Sequence, residues 1–305
     1  MPAQMSGPPA RLTAGLVLAV LGAIAFSGKA IIVKLAYRYG VDAVTLIMLR
    51  MLFALPLFVA MAWWASRGKA PLSRRDWLGV VWLGVTGYYL ASFLDFAGLA
   101  YISASLERLI LYLNPVIVML LARVLYGKRF SRLQLLGAAI AYAGVLLVFG
   151  HELGFESGAG TAWGAGLVFM STVFYALYLV YSGQLVQRLG SLRLVGLATS
   201  VACVCCIVQF LVLRPVDVVF ALAPEVLWLS VLNATVCTVA PVLMVMMAIE
   251  RIGAGMAAQT GMVGPLSTIL MGVLILGEPF TAWIAAGTVL VMAGIYVFTR
   301  GARRP

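Results

Sequence analysis

Residues Ser105 to Phe130 read SLERLILYLNPVIVMLLARVLYGKRF, and residues Gly255 to Phe280 read GMAAQTGMVGPLSTILMGVLILGEPF. The second stretch lies 150 positions after the first, and the two superimpose without a gap: Pro115 meets Pro265, Gly127 meets Gly277 and Phe130 meets Phe280. The register continues outward, with Gly137 on Gly287 and Gly144 on Gly294. Most unmatched positions pair apolar with apolar. Self-similarity at a fixed offset in an almost wholly apolar chain is the sequence form of a membrane protein built from two repeats.

Composition places the chain in lipid. Its 305 residues are 64% hydrophobic and only 10% charged, against roughly 25% charged in soluble domains, and mean hydropathy is +1.07. Apolar stretches long enough to cross the hydrocarbon, about 20 residues each, recur between short polar breaks. They fall near Leu12 to Val33, Ala43 to Ala65, Trp77 to Leu99, Ser103 to Leu125, Leu133 to Phe149, Ala162 to Ser182, Leu192 to Leu213, Val226 to Met247, Ala254 to Leu276 and Ala282 to Thr299. The expected fold is therefore an all-α polytopic membrane protein of ten transmembrane helices around a central cavity. Its two five-helix repeats are expected at 1–150 and 151–305. The first stretch has the flanks of a signal peptide, with Arg11 before it and Ala25 and Ser27 behind its core. Its counterpart from Gly164 to Tyr181 lies deep in the chain, so both are read as membrane helices.

Lys and Arg crowd one side of this topology, at Arg67, Lys69, Arg74, Arg75, Arg123 to Arg132, Arg188, Arg193, Arg251 and Arg300 to Arg304, with Arg11. Cytoplasmic loops carry such an excess, so both termini are expected in the cytoplasm and the chain in the cell inner membrane. The formal charge of +11 then answers the anionic inner leaflet and not a nucleic acid. Five spans per copy is an odd number, which turns the second copy upside down. Lys128 and Arg129 after the fourth span align with Glu278 and Pro279 after the ninth, so cations mark one copy and an acid the other. Inverted repeats of this kind characterise alternating-access carriers with a site near the midplane.

Two copies of an apolar helix with a central Pro, a following Gly and often Glu, and then a helix with glycines seven apart resemble the EamA-type drug/metabolite transporter superfamily over nearly the whole chain. Arg50 in the second span fits the same pattern, and Lys128 departs from it where first copies often carry Glu. The resemblance implies a ten-helix secondary transporter, most often an exporter of metabolites or amino acids, with a layout closest to aromatic amino-acid exporters. It also implies a cavity lined by spans 1, 3, 4, 6, 8 and 9, with spans 5 and 10 as scaffold.

Residues able to carry transport follow from the cost of polarity in lipid. Ionisable groups at the bilayer centre cost about 2.5 to 3.5 kcal/mol, yet Lys29, Arg50, Asp95, Glu107 and Arg108 all map to one third of the membrane in the first copy. Together they sum to +1, which suits a carboxylate or zwitterion, and Asp95 or Glu107 is a candidate proton carrier. A structural salt-bridge network is the competing account. Tyr88, Tyr89, Tyr112, Asn114, Tyr175, Tyr178 and Gln259 are candidate cavity residues, because polar groups in membrane helices turn inward. Asn233, Thr238 and Thr260 add hydrogen-bonding groups. Pro115 and Pro265 each lack an amide hydrogen and free a carbonyl, as static kinks or as paired gating hinges. Gly137 with Gly144 and Gly287 with Gly294 share helix faces and are expected to pack helices closely.

Other chemistries fail on spacing. Gly22 to Lys29 has one residue too many between its glycines for a phosphate loop, with Ala30 where Ser or Thr belongs. His151 has no second His or Cys nearby, and the cysteines Cys203, Cys205, Cys206 and Cys237 show no CxxC pair. No metal, cofactor or enzymatic activity is expected. The expected function is secondary transport of a small amphipathic metabolite such as an amino acid, with protons as a possible coupling partner and a monomer or homodimer as the working unit. A facilitative uniporter, or a lipid-handling protein with a polar groove open to lipid, stands as the alternative.

Overall fold

The computed structural model describes residues 9–127, 131–155, 158–260 and 263–302, and it is helical throughout its spans. In chain order the helices are α1 (Pro9–Tyr37), α2 (Ala43–Ser66), α3 (Arg74–Leu83), α4 (Ala91–Leu99), α5 (Ala104–Leu111), α6 (Asn114–Tyr126), α7 (Arg132–Phe155), α8 (Gly158–Leu189), α9 (Ser191–Leu213), α10 (Pro224–Ala234), α11 (Ala240–Thr260), α12 (Val263–Met271) and α13 (Ala282–Ala302). Wide π-helical turns continue α3 into α4 at Gly84–Leu90, α10 into α11 at Thr235–Val239, and α12 onward at Gly272–Leu276. Among the described residues, nine helical segments are long and apolar enough to cross a membrane, and Val263–Leu276 is a shorter apolar helix. The chain is thus an all-α polytopic membrane protein. Lys128 and Arg129, the cations of the repeat comparison, lie outside the described residues.

Helix ends follow local chemistry. The Asp42 side chain accepts from the Val44 and Thr45 amides and starts α2; Ser73 and Asp76 form a reciprocal capping box at α3; Ser103 caps α5. Gly127 and Gly277, matched by the 150-residue offset, both stop their helices in the left-handed region, at φ 65° and 73°, where a side chain would be strained.

Packing joins elements five spans apart. The fifth span α7 packs along the tenth, α13, and the second span α2 along the seventh, α9. A Cβ at Gly137 would sit 2.6 Å from the Gly294 carbonyl oxygen, and one at Gly144 would sit 2.8 Å from that of Gly287. The glycines that align as 137 with 287 and 144 with 294 therefore meet in exchanged order, as a two-fold relation between antiparallel helices requires. Trp63, Trp64, Trp77, Trp82, Trp163, Trp228 and Trp283 all face outward, consistent with interfacial belts.

The connections gather at two ends of the bundle. At one, Arg214 pairs with Asp42 (3.4 Å), Ser103 donates to Glu152, and the Glu278 carboxylate accepts from the Ala104 amide (2.8 Å) and the Ser105 hydroxyl (2.9 Å). At the other, Arg193 donates to Ser66 Oγ and the Ala70 carbonyl (both 3.0 Å), Arg188 pairs with Asp76 (2.9 Å), and the Ser131 hydroxyl donates to the Gly301 carbonyl (3.3 Å). We call these the acidic and basic ends.

One expectation is corrected. The fourth span is not a single helix kinked at Pro115: it is α5 and α6, broken at Tyr112 and Leu113, and Pro115 lies in the first turn of α6. Proline is suited to that position, where no intrahelical amide bond is lost. The Leu113 amide turns instead to the Ile110 carbonyl (3.0 Å). Pro265 is buried within α12.

Candidate functional site

The fold brings the intramembrane charges into one band on the acidic side of the midplane. Lys29 on α1 donates to the Asp95 carboxylate on α4, and its Nζ lies 3.4 Å from Glu107 Oε1 on α5. Arg108 Nε is 4.0 Å from Glu107 Oε2 and donates to Thr268 Oγ1 on α12 (2.9 Å), while Nη2 reaches the Phe26 carbonyl (3.4 Å). Spans 1, 3, 4 and 9 are therefore tied by a single chain of charge-assisted contacts. Asp95 is 2% and Glu107 0% exposed, so in hydrocarbon each carboxylate depends on Lys29 and Arg108 for compensation. Neither oxygen of Glu107 accepts a hydrogen bond among the described residues, nor does Asp95 Oδ1.

Nearby contacts close the same seam. The Ser27 hydroxyl donates to the Gly264 carbonyl on α12 (2.8 Å). A Cβ on Gly264 would lie 3.3 Å from the Tyr112 hydroxyl, which puts Tyr112 at the crossing of α1, α12 and the α5–α6 break. Toward the acidic end, Lys34 donates to the Ile102 carbonyl (2.8 Å) and Arg38 to that of Leu276 (2.6 Å).

A second group, of tyrosines, lies deeper. The Tyr88 and Tyr178 hydroxyls are 3.1 Å apart with their rings edge to face at 5.0 Å, and Tyr175 stacks on Tyr178 at 5.7 Å. Gly87 makes this possible, since a Cβ there would lie 2.3 Å from Tyr178 Cγ. Tyr88 sits in the π-helical turn Gly84–Leu90, and 150 residues on the turn Thr235–Val239 repeats the feature in the eighth span. Such turns interrupt helix bonding and recur at functional sites.

The candidates do not all converge. Tyr89, like Tyr88, packs on the cluster containing Cys203, Cys206 and Phe210. Asn114 donates to the Thr172 carbonyl (3.3 Å) and so ties α6 to α8. Gln259 lies outside the described side chains. Ser27 and Thr268, which the sequence does not distinguish from ordinary helix-packing residues, prove to bridge the two halves. Arg50 is 6% exposed, with its guanidinium 5.0 Å from the centre of the Phe96 ring and Nε and Nη1 unpartnered. Asn233, 1% exposed, has both amide atoms unpartnered. Buried polar atoms are seldom left without partners; Arg50 lies against Phe96 of α4, with Cys203 and Cys206 of α9 and Cys237 near it.

Comparison with known proteins agrees with this architecture. The EamA-like transporter family model matches residues 13–150 and again 162–300. The chain is 32% identical over 273 residues to the uncharacterized transporter YcbK of Bacillus subtilis strain 168, covering 87% of this chain and 86% of that one. It is also 24% identical to an uncharacterized transporter of Archaeoglobus fulgidus, over 92% of this chain and 96% of that one. A crystal structure of an 18% identical protein superimposes with a TM-score of 0.61, covering 96% of this chain and 99% of the other, a likeness of fold.

Proposed function

From the premise that this chain belongs to the EamA-like transporter family, we propose a secondary carrier that exports a small amphipathic metabolite, such as an amino acid, across the cell inner membrane by alternating access. The working units are two inverted repeats, 1–150 and 151–305, with both termini and the basic end cytoplasmic. The exchanged glycine contacts between α7 and α13 support that division, and the cation-rich basic end supports that orientation.

The observation that carries the proposal is the charged band tying spans 1, 3, 4 and 9. Its groups lie where a polar side chain is costly, and it includes both repeats through Arg108 and Thr268. A substrate carboxylate would engage Lys29, Arg108 or Arg50, and an apolar or aromatic side chain would rest on Tyr88, Tyr175 and Tyr178. Substrate binding would compete with the contacts that close the acidic end, so that occupancy and gate position are linked. Pro115, in the first turn of α6, and Pro265, within α12, would act as paired hinges.

The test is reconstitution of the full chain in liposomes with a panel of labelled amino acids, with and without a pH gradient. Flux that saturates and is accelerated by the gradient supports a proton-coupled carrier. Saturable flux indifferent to the gradient supports a facilitator, and absence of saturable flux for every amphipathic metabolite tried rejects the proposal.

A further inference from the structure

A groove of about 380 Å³ opens at the acidic rim, lined by Leu35, Arg38, Tyr39, Glu225, Trp228 and Leu229. Helical spacing sorts this lining by depth. Arg38 stands at the C-terminal end of α1 with Leu35 a turn deeper, and Glu225 opens α10 with Trp228 and Leu229 a turn deeper, about 5.4 Å along each axis. A charged rim therefore overlies an apolar floor. Trp228 is 74% and Tyr39 51% exposed, so the groove opens on the surface that lipid covers, with aromatics at headgroup level.

The two rim charges are opposite and do not neutralise each other: among the described residues, the ion pairs do not include Arg38 with Glu225. Arg38 donates from Nη2 to the Leu276 carbonyl and retains other guanidinium hydrogens. Glu225 has no hydrogen bond or ion pair from its side chain among the described residues. An acid and a base held apart over an apolar floor match a ligand that carries an anion, a cation and acyl chains.

We propose that this groove binds one phosphatidylethanolamine molecule, with its phosphate on Arg38, its ammonium on Glu225 and its glycerol and upper acyl region along Leu35, Trp228 and Leu229. The primary ammonium has hydrogens for a charge-assisted bond to Glu225. The quaternary ammonium of phosphatidylcholine has none, and phosphatidylglycerol brings no cation. The inference rests on the membrane fold and is independent of the transported substrate.

Native mass spectrometry of the delipidated full chain, titrated with the three lipids at matched acyl chains, tests it. One phosphatidylethanolamine is expected to bind at least tenfold tighter than either of the others. Glu225→Gln, at an exposed and unpartnered position that the fold does not need, is expected to abolish that preference, and Arg38→Gln to weaken retention of phosphatidylethanolamine and phosphatidylglycerol alike. Equal binding of all three lipids, a preference for phosphatidylglycerol, or a preference for phosphatidylethanolamine that survives Glu225→Gln overturns the assignment. Displacement of the lipid by free glycine or alanine at the same stoichiometry overturns it as well, by making the groove a soluble-zwitterion site.

Discussion

At the scale of single residues, the charged band behaves as one unit, because Lys29 is the shared partner of two buried carboxylates. Removing one partner of a buried pair typically costs about 3 to 5 kcal/mol, since the remaining charge is left uncompensated. Lys29→Met is therefore expected to lower the melting temperature in detergent sharply. Adding Asp95→Asn is expected to restore much of the loss, and a double-mutant cycle would read this as a non-additive coupling of roughly 0.5 to 3 kcal/mol. Additive losses would mean that the two groups do not sense each other. A separate measurement addresses coupling: Glu107→Gln is expected to abolish acceleration of flux by a pH gradient while leaving substrate exchange, because a glutamine cannot release a proton. Gradient-driven flux at wild-type rate in this variant would remove Glu107 from any proton path. The sequence makes Lys29, Asp95, Glu107 and Arg108 visible, because an ionisable residue in an apolar run is conspicuous by its cost. It does not reveal Ser27 or Thr268, since a hydroxyl in a membrane helix commonly bonds its own backbone and only tertiary placement shows that Ser27 also reaches Gly264.

At the scale of elements, the contact of α7 with α13 and the cap of α2 make different demands. Gly144 faces the Gly287 carbonyl so closely that any Cβ would force the helices apart, whereas a Cβ at Gly166 would meet open space. Gly144→Leu is expected to destabilise the chain by about 1 to 3 kcal/mol, the usual cost of overpacking, and Gly166→Ala to leave stability unchanged or slightly raised, alanine being the better helix former. Comparable effects at both sites would show that close approach is not the reason for the glycine. At α2, burial pushes the Asp42 carboxyl up, but the Thr45 hydroxyl and amide and the Arg214 guanidinium outweigh it and hold the group below its usual range. A lowered acid stabilises the folded state above its unfolded value, near 3.9, and the contribution is lost as pH falls through the folded value. Asp42→Ala is expected to cost about 1 kcal/mol at pH 7 through loss of the N-cap, with the difference from wild type shrinking below pH 4 in thermal melts. The glycine pairs were legible because a spacing of seven marks one helix face. The π-helical turns at Gly84–Leu90 and Thr235–Val239 were not, because no residue type in GVTGYYL or TVCTV compels an extra residue per turn. The break before Pro115 was half legible: proline announces a disturbance, but whether it bends a helix or begins one depends on the turn ahead of it.

At the scale of the whole molecule, an inverted second repeat accounts for the paired packing of α7 on α13 and α2 on α9. The hydrogen bonds that close the acidic end join spans 1, 3, 4 and 9: Arg38 to Leu276, Lys34 to Ile102, and Glu278 with Ala104 and Ser105. In the alternating-access cycle proposed above, such contacts would have to break for the acidic end to open. The 150-residue offset carried most of this architecture, since a duplicated odd number of spans can only be inverted. What it did not carry is which groups tie the acidic end together, because only side-chain contacts reveal them. Sidedness is open to direct measurement. Lys69 and Asp217 are exposed at opposite ends, so each can be replaced by Cys after the four native cysteines are removed, and labelled in intact cells with a membrane-impermeant maleimide. Asp217→Cys is expected to react in intact cells, and Lys69→Cys only after the membrane is permeabilised. Reaction of both from one side would place connections separated by an odd number of spans on the same face. The inverted pair of repeats would then fail, and with it the link between the charged band and a gate that faces the cell exterior.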